Sequence, residues 1–440
     1  MADYRKKPDA ADLWFANQIV DEIDRFSIEK KLPAGMQQIK SAAIEQLQSP
    51  HIRIVLEQIE RNHTRFFQNE FDLKVDDSVL INHMIKDHAV GLAGEAAAFL
   101  RVSPEGISAS IRPDYQSIGV VISDLITISR ENPSLITDLE KNGHLLRDSG
   151  ASNLLYAINS NALVLTIPDY VEIDEMIQIE ISSQSTSTII PFHLITKLGK
   201  NAKANITVCI KSLNMQALPR IMILQNDYFL AENAQLNVLR HQTAGEKNTL
   251  ILVDDLIKQG RNSKMGFLNI DEGAKGLSSK ISVVLDGDGA ESIVTGVYRP
   301  GNDCQFYYDT EQIHNASYTE SDLLYNGVIG KNAYTSWKGN IVIEENTRGT
   351  NGYQANNNLV IHELAKVESV PGLEIKTDDV KCSHGVTIGN IDKNHMFYLQ
   401  SRGINKDAAE NLIINGFLRS PLNRNSAAVF NDQLSSLFDV

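Results

Sequence analysis

The chain has 440 residues, and its 41 Lys and Arg against 55 Asp and Glu leave a formal net charge of −14. With no basic stripe to neutralise phosphates, a nucleic-acid surface is excluded, while 42% hydrophobic and 22% charged residues suit a folded protein with a sizeable core rather than a disordered chain. The start, MADYRKKPDAADLWF, has no apolar stretch with a small-residue cleavage site, and no run of about 18 apolar residues occurs, so a cytoplasmic location is expected.

The first third reads as helical. Leu13, Ala16, Ile19, Val20, Ile23 and Phe26 recur at intervals of three and four, and Ile52, Val55, Leu56 and Ile59 repeat the pattern, with Pro33 and Gly35 between the two runs. From FLRVSPEGISASIRPDY onward the pattern is mixed, so residues 1–150 are assigned to a mostly helical N-terminal domain that ends in a transition segment. Residues 151–396 change texture to short apolar strands between polar turns, as in ANITVCIKS, RIMILQNDYFLAENAQLNVLRHQ and KISVVLDGDGAESIVTGVYR. No amphipathic helix interrupts them, which excludes a doubly wound sheet, because that fold needs crossover helices. A turn followed by alanine recurs at Ala202, Ala234, Ala274, Ala290, Ala333 and Ala365, at gaps of 32, 40, 16, 43 and 32. Such returns favour a β-solenoid whose coils stack to bury a face none can bury alone; the uneven gaps keep a flattened sandwich open. Residues 397–440 return to helix: NKDAAENLIINGFL has a cap residue in Asn405 and places Ala408, Leu412 and Ile413 on one side, and NSAAVFNDQLSSLF does the same with Ala427, Phe430, Leu434, Leu437 and Phe438. These helices suit either a cap over the open end of a solenoid or a docking surface for another protein.

The cysteines, Cys209, Cys304 and Cys382, lie far apart and form no CxxC pair, so neither a disulfide framework nor a self-contained zinc site is supported. In DDVKCSHGVTIGNID, Cys382 and His384 stand two apart, which on a strand turns both side chains to one face. A thiolate and an imidazole make half of a site for iron or another soft to borderline metal. Spacing alone favours a simpler reading, a half-buried cysteine beside a hydrogen-bonded histidine. A Cys–His protease is disfavoured, since a nucleophile more often sits at a helix N-terminus or strained turn. Asp378 and Asp379 read as solvated turn residues, Asn356, Asn357 and Asn358 as an asparagine ladder inside a solenoid, His314 as a satisfied structural histidine, and Cys209 as core packing.

The succession IHNASYTESDLLYNGVIGKNAYTSWKGNIVIEEN, followed by PGLEIKTDDVKCSHGVTIG, FYLQSRGI and INGF, resembles the SufB/SufD family of the Suf iron–sulfur cluster assembly system, most closely its SufD branch, over about residues 150–420. The resemblance implies a right-handed parallel β-helix flanked by helical N- and C-terminal domains. It further implies a non-enzymatic scaffold that pairs with SufB through the β-helices and binds the SufC ATPase through the C-terminal helices, here Ala408, Leu412, Ile413 and Phe417. Where the SufB pattern carries an acceptor cysteine after the Gln of its YQ segment, this chain has Ala355. Where SufB carries Glu-His-Glu, it has Cys382, Ser383 and His384, and after FY it has Leu399 in place of a cysteine. The resemblance therefore assigns to Cys382 and His384 a transient iron or iron–sulfur cluster held at the SufB interface, with no permanently bound cofactor. The N-terminal third lacks the family's Pro…Glu-Trp-Lys/Arg-Tyr-Thr segment. Two other functions compete: a homodimeric scaffold that binds iron without SufB, and a β-helix enzyme acting on polysaccharide. The second is disfavoured by two Trp and the lack of a secretion signal.

Overall fold

The computed structural model describes residues 34–47, 56, 58–63, 66, 96–103, 106–131, 149–158, 162–182, 189–211, 219–243, 248–424, 427–430 and 434. The run from Leu13 to Phe26, together with Ile52, Val55, Leu437 and Phe438, lies outside them.

In chain order the strands are β1 (Ala98–Ser103), β2 (Gly106–Ile111), β3 (Val121–Asp124), β4 (Leu163–Ile167), β5 (Glu172–Ser182), β6 (Ile189–Leu198), β7 (Lys203–Lys211), β8 (Arg220–Leu230), β9 (Gln235–Gln242) and β10 (Thr249–Gln259). They continue as β11 (Lys264–Glu272), β12 (Gly276–Leu285), β13 (Glu291–Arg299), β14 (Gln305–His314), β15 (Glu320–Ile329), β16 (Tyr334–Ile343), β17 (Thr350–Val360), β18 (Lys366–Ile375) and β19 (Val380–Asn390). From β4 on, even strands build one sheet and odd strands the other, each pairing in parallel with the strand two places along. The result is a parallel β-solenoid of about seven turns. A sandwich would carry antiparallel neighbours. Among the described strands these occur only at the N-terminal end, where β2 closes the odd sheet beside β1 and β3 closes the even sheet beside β4.

The uneven alanine gaps arise because two corners are superposed in the sequence. At the corner leading into the odd strands, Ala202, Ala234, Ser263, Ala290 and Thr319 stack, each passing its carbonyl to the coil above, and left-handed residues such as Asn201, Asn233, Asn262 and Gly289 precede them. At the other corner Cys304, Ala333 and Ala365 occupy the corresponding place, and Ala274 itself takes φ +57°. Small residues fit there because the chain reverses over a buried position, and Asn tolerates φ > 0 better than most non-glycine residues. The coil length shows in the rungs: Asn233 Nδ2 donates to Asn201 Oδ1 at 3.0 Å across 32 residues, and Ser317 N to Asp288 Oδ1 at 2.9 Å across 29.

Alternation decides which side chains enter the interior. Strand β7 turns Ala204, Ile206, Val208 and Ile210 inward, which sends Cys209 to the outer face between Glu180 and His241. Cys209 is thus not core packing of the interior but a half-buried outer side chain, its thiol pushed up by burial. Strands β6, β8 and β10 are buried on both faces, since the helix Gly150–Ile158 lays Leu154, Leu155 and Ile158 over Ile195, Ile221, Ile223 and Leu250. Double coverage explains their nearly continuous apolar sequences. Tyr156 of this helix bonds His193 Nδ1 at 2.7 Å, and His193 Nε2 meets Asp227 Oδ2 at 2.8 Å. Gly35 does not merely separate two runs, for it lies inside the helix Ala34–Leu47, which buries Ile39, Ala43 and Leu47 at a spacing of four. His63 is fully buried, bonds Ser278 Oγ at 2.8 Å and meets Tyr307 edge-on, tying the N-terminal segment to the even sheet. No helix among the described residues is long and apolar enough to cross a membrane.

The interior changes character along its axis. The early coils are aliphatic, with Ile177, Ile206 and Val238 in one row. In the middle, fully buried Arg240 pairs with Asp255, bonds Asn269 Oδ1 at 2.8 Å and Ser279 Oγ at 3.0 Å, and lies 3.7 Å from Asp271 Oδ2. Desolvation pushes Asp271 up despite the guanidinium, and Tyr308 donates to it at 3.0 Å. Beyond this cluster Tyr298 and Tyr325 fill the space that Gly327 and Gly296 leave in the adjacent coils.

Removing one member of a buried ion cluster strands the others, so Arg240→Leu is expected to cost about 3–5 kcal/mol in urea unfolding. Burial lowers the His63 pKa from 6.5 to about 3, so the unfolded chain binds the proton first. Stability from this site is complete above about pH 6.5 and declines as pH falls toward 3. His63→Phe is expected to flatten that part of a pH series of thermal melts.

Candidate functional site at the open end of the solenoid

At the C-terminal end β18 and β19 are the last strands of their sheets, and no described strand pairs with their free edges. Cys382 lies in register with Gly352 and His384 with Gln354, two positions of β17 that face the interior, so both side chains project to the inner side of the final coil while Ser383 points out. Cys382 is half-buried and His384 exposed, since no described coil lies over them. Burial raises the Cys382 thiol, partly opposed by the Gly352 backbone N–H, so a bound metal would have to displace its proton. Among the described residues no group of three or more His, Cys, Asp or Glu is placed to hold a metal ion, so the described residues bring two donors to this end and no complete set.

The mouth around the pair is apolar. Leu373 and Ile375 on β18 and Val386 and Ile388 on β19 occupy interior positions of the last coil yet stand exposed, Ile388 at 51%. Below it the interior is closed: Gln354 Nε2 crosses from β17 to donate to Gly372 O at 2.9 Å and Gly339 O at 3.3 Å. Asn356 and Asn358 bond each other and Tyr298, and Ser369 Oγ donates to Asn356 Oδ1 at 2.9 Å. They do not form a ladder with Asn357, which alternation turns outward, where it bonds Asn326 one coil back at 3.1 Å. Ala355 likewise lies on the outer side, beside Gly385. His314 is satisfied at both nitrogens, by Thr319 Oγ1 at 2.7 Å and Ser321 Oγ at 2.9 Å, and Asp378 and Asp379 are exposed in the turn before β19.

The C-terminal helices do not cap this end. The helix Lys406–Arg419, whose N-cap Asn405 accepts from Ala408 N at 2.8 Å, packs on the outer face of the odd sheet through Ala409, Ile414 and Leu418, near Leu268, Val297 and Val328. It is anchored there by Asn326 Nδ2, which donates to Phe417 O at 2.8 Å and Ser420 Oγ at 2.9 Å. Of the four residues expected to dock a partner, Leu412 is open at 54%, Ala408 and Ile413 are half-covered, and Phe417 packs against the sheet cluster. The sheet takes the neighbouring face, because positions 409, 413 and 414 are as apolar as 408, 412 and 413. Helix begins earlier than residue 397, at Lys393, where the Asp392 carboxylate accepts from Asn394 N at 2.7 Å, and Leu399 falls half-buried within it. The second tail helix is represented by a 3-10 turn, Ala427–Phe430, with Phe430 and Leu434 buried in the same cluster. Phe397, exposed at 73%, and Met396 line a groove of about 700 Å³ with Ile361, His362, Lys406 and Glu410. The sequence had offered no signal for this groove, which forms only where the last corner and two helices meet.

The sequence-family model for "SUF system FeS cluster assembly, SufBD core domain" matches residues 180–417, more than half of the chain. The chain belongs to the SufBD family. It is 41% identical over 104 residues to the iron–sulfur cluster assembly protein SufD of Escherichia coli, a stretch covering 24% of this chain and 25% of that one. Over 350 residues it is 24% identical to SufD of Bacillus subtilis, covering 75% of this chain and 76% of the relative. A SufBD family protein of Synechocystis is 24% identical over 275 residues, 60% of each chain. The matches to the E. coli and Synechocystis proteins therefore span less than two thirds of those relatives.

If the open face of the helix Lys406–Arg419 is the one left for contacts, Leu412→Asp should shift unfolding by no more than about 0.5 kcal/mol, whereas Ala409→Asp, which drives a charge into the sheet contact, should cost about 3 kcal/mol or more. Chemical denaturation of the two variants checks the assignment.

Proposed function

We propose that this member of the SufBD family is a SufD-type scaffold subunit, not itself a catalyst, in which Cys382 and His384 supply two ligands of a site completed by a SufB subunit. The observation that carries the reading is the placement of a thiol and an imidazole on the inner face of the last described coil, whose outer edges pair with no described strand, at an end ringed by exposed Leu373, Ile375, Val386 and Ile388. An unpaired sheet edge with an apolar surround is a ready template for another sheet. The cargo is a nascent iron–sulfur cluster or iron, for which a thiolate and an imidazole are suitable donors. The exposed surface of Phe397, Tyr398 and Leu412 beside the C-terminal groove is the docking face for the SufC ATPase. Such a complex works in the cytoplasm.

Co-purification with SufB and SufC, followed by anaerobic reconstitution with iron and sulfide, tests the proposal. Cys382→Ala with His384→Ala is expected to leave the complex intact and to lower iron incorporation several-fold. Failure to co-purify, or unchanged iron content in the double variant, would sink it. The competing homodimer, in which a second copy covers the same edge, would appear in native mass measurement of the mixture as a dimer of this chain that SufB does not displace.

A further inference from the structure

The coil beneath the candidate site is built around one missing side chain. A Cβ added at Gly352 would lie 3.2 Å from Cys382 Sγ and 3.2 Å from Ile341 Cγ2, with Ile341 Cδ1 at 3.5 Å, so the thiol occupies the space that any larger residue would need. Gly352 is in register with Cys382, and its backbone N–H faces the same sulfur. Two residues along β17, Gln354 bridges to Gly372 O and Gly339 O and closes the interior there, so the sulfur has no room beyond what Gly352 and Ile341 leave. No described coil lies above Cys382, and among the described residues the open direction is outward along the solenoid axis. Gly385, on β19 itself, makes the contrast: a Cβ there would meet only Tyr353 Oη at 3.6 Å and Ala355 Cβ at 3.7 Å, ordinary contacts.

We infer that Gly352 is the positioning residue for the Cys382 sulfur, forming with Ile341 a seat that holds the thiol half-withdrawn at the mouth beside His384. Its functional meaning rests on the reading of Cys382 as a ligand; the seat itself does not. At 3.2 Å an added methyl group requires its neighbours to give by a few tenths of an ångström; Ile341 is fully buried and held by close packing, so the half-buried sulfur is the group that shifts, toward solvent.

The test is the rate of alkylation by iodoacetamide at one fixed pH, on the full chain without iron or partner proteins, resolved for Cys382, Cys209 and Cys304 by peptide mass spectrometry. Gly352→Ala should accelerate modification of Cys382 roughly tenfold by exposing the thiol, and leave Cys209 and Cys304 unchanged. Gly385→Ala should change none of the three. Ile341→Val, which deletes one methyl group from the seat, should slow Cys382 by about threefold as the sulfur settles deeper. A Cys382 rate within about twofold of the parent chain in Gly352→Ala, no slowing in Ile341→Val, or a rise shared by all three cysteines would each overturn the inference, since a seat acts on one sulfur only. Because these rates are read without iron or SufB, they hold or fail independently of the iron-incorporation result for the Cys382→Ala, His384→Ala variant.

Discussion

Parallel stacking of one coil on the next is the constraint on which the rest of the molecule depends. Each coil satisfies its backbone donors and acceptors with its two neighbours and covers their interior side chains, so the cost of an unpaired strand is pushed to the ends. At the N-terminal end β2 and β3 turn antiparallel and take up that role. At the C-terminal end nothing among the described strands does, and inward-facing residues, Cys382 and His384 among them, are left uncovered. The candidate site is thus a consequence of where the stacking stops.

The same stacking makes a polar interior possible. Asn226, Arg240, Asp255, Asn269 and Ser279 come from five successive strands, and they meet only in the observed register. A slip of one residue would turn any of them to the opposite face, leaving charges buried without partners. Register carried by this cluster extends upward through Tyr298 and the Asn356–Asn358 pair to Ser369, and therefore to the strands that carry the site.

Much of this was legible in the residues. Turn-plus-alanine returns announced stacked coils, the Cys-x-His spacing announced a shared face, and Asn405 announced a helix start, because each depends on local backbone geometry alone. Cys209 was misjudged because its apolar neighbours, Val208 and Ile210, belong to the opposite face, and a one-dimensional pattern does not say which side of a strand is inside. The two corners were conflated for the same reason: both select small residues after a left-handed turn, and only the path of the chain separates them. Tail helices that could equally have capped the solenoid lie on its flank, where Leu268, Val297 and Val328 offer an apolar outer surface that the open mouth does not share.

By itself the sequence determined that the middle of the chain is built of short strands between polar turns with helices at both ends, favoured a solenoid over a sandwich, resembled the Suf assembly proteins, and placed one cysteine and one histidine on a shared strand face. The strands, the turns and the shared face rest on a periodicity of two and on local turn chemistry, and the family rests on the resemblance of whole runs such as PGLEIKTDDVKCSHGVTIG. Only the tertiary structure decided that the pair stands on the inner face of the last described coil, with Gly352 beneath the sulfur, Gln354 closing the interior below and no described strand above. Those relations join residues fifteen to thirty positions apart, and their geometry is set by the stacking and register of the coils, which no single short stretch of chain contains.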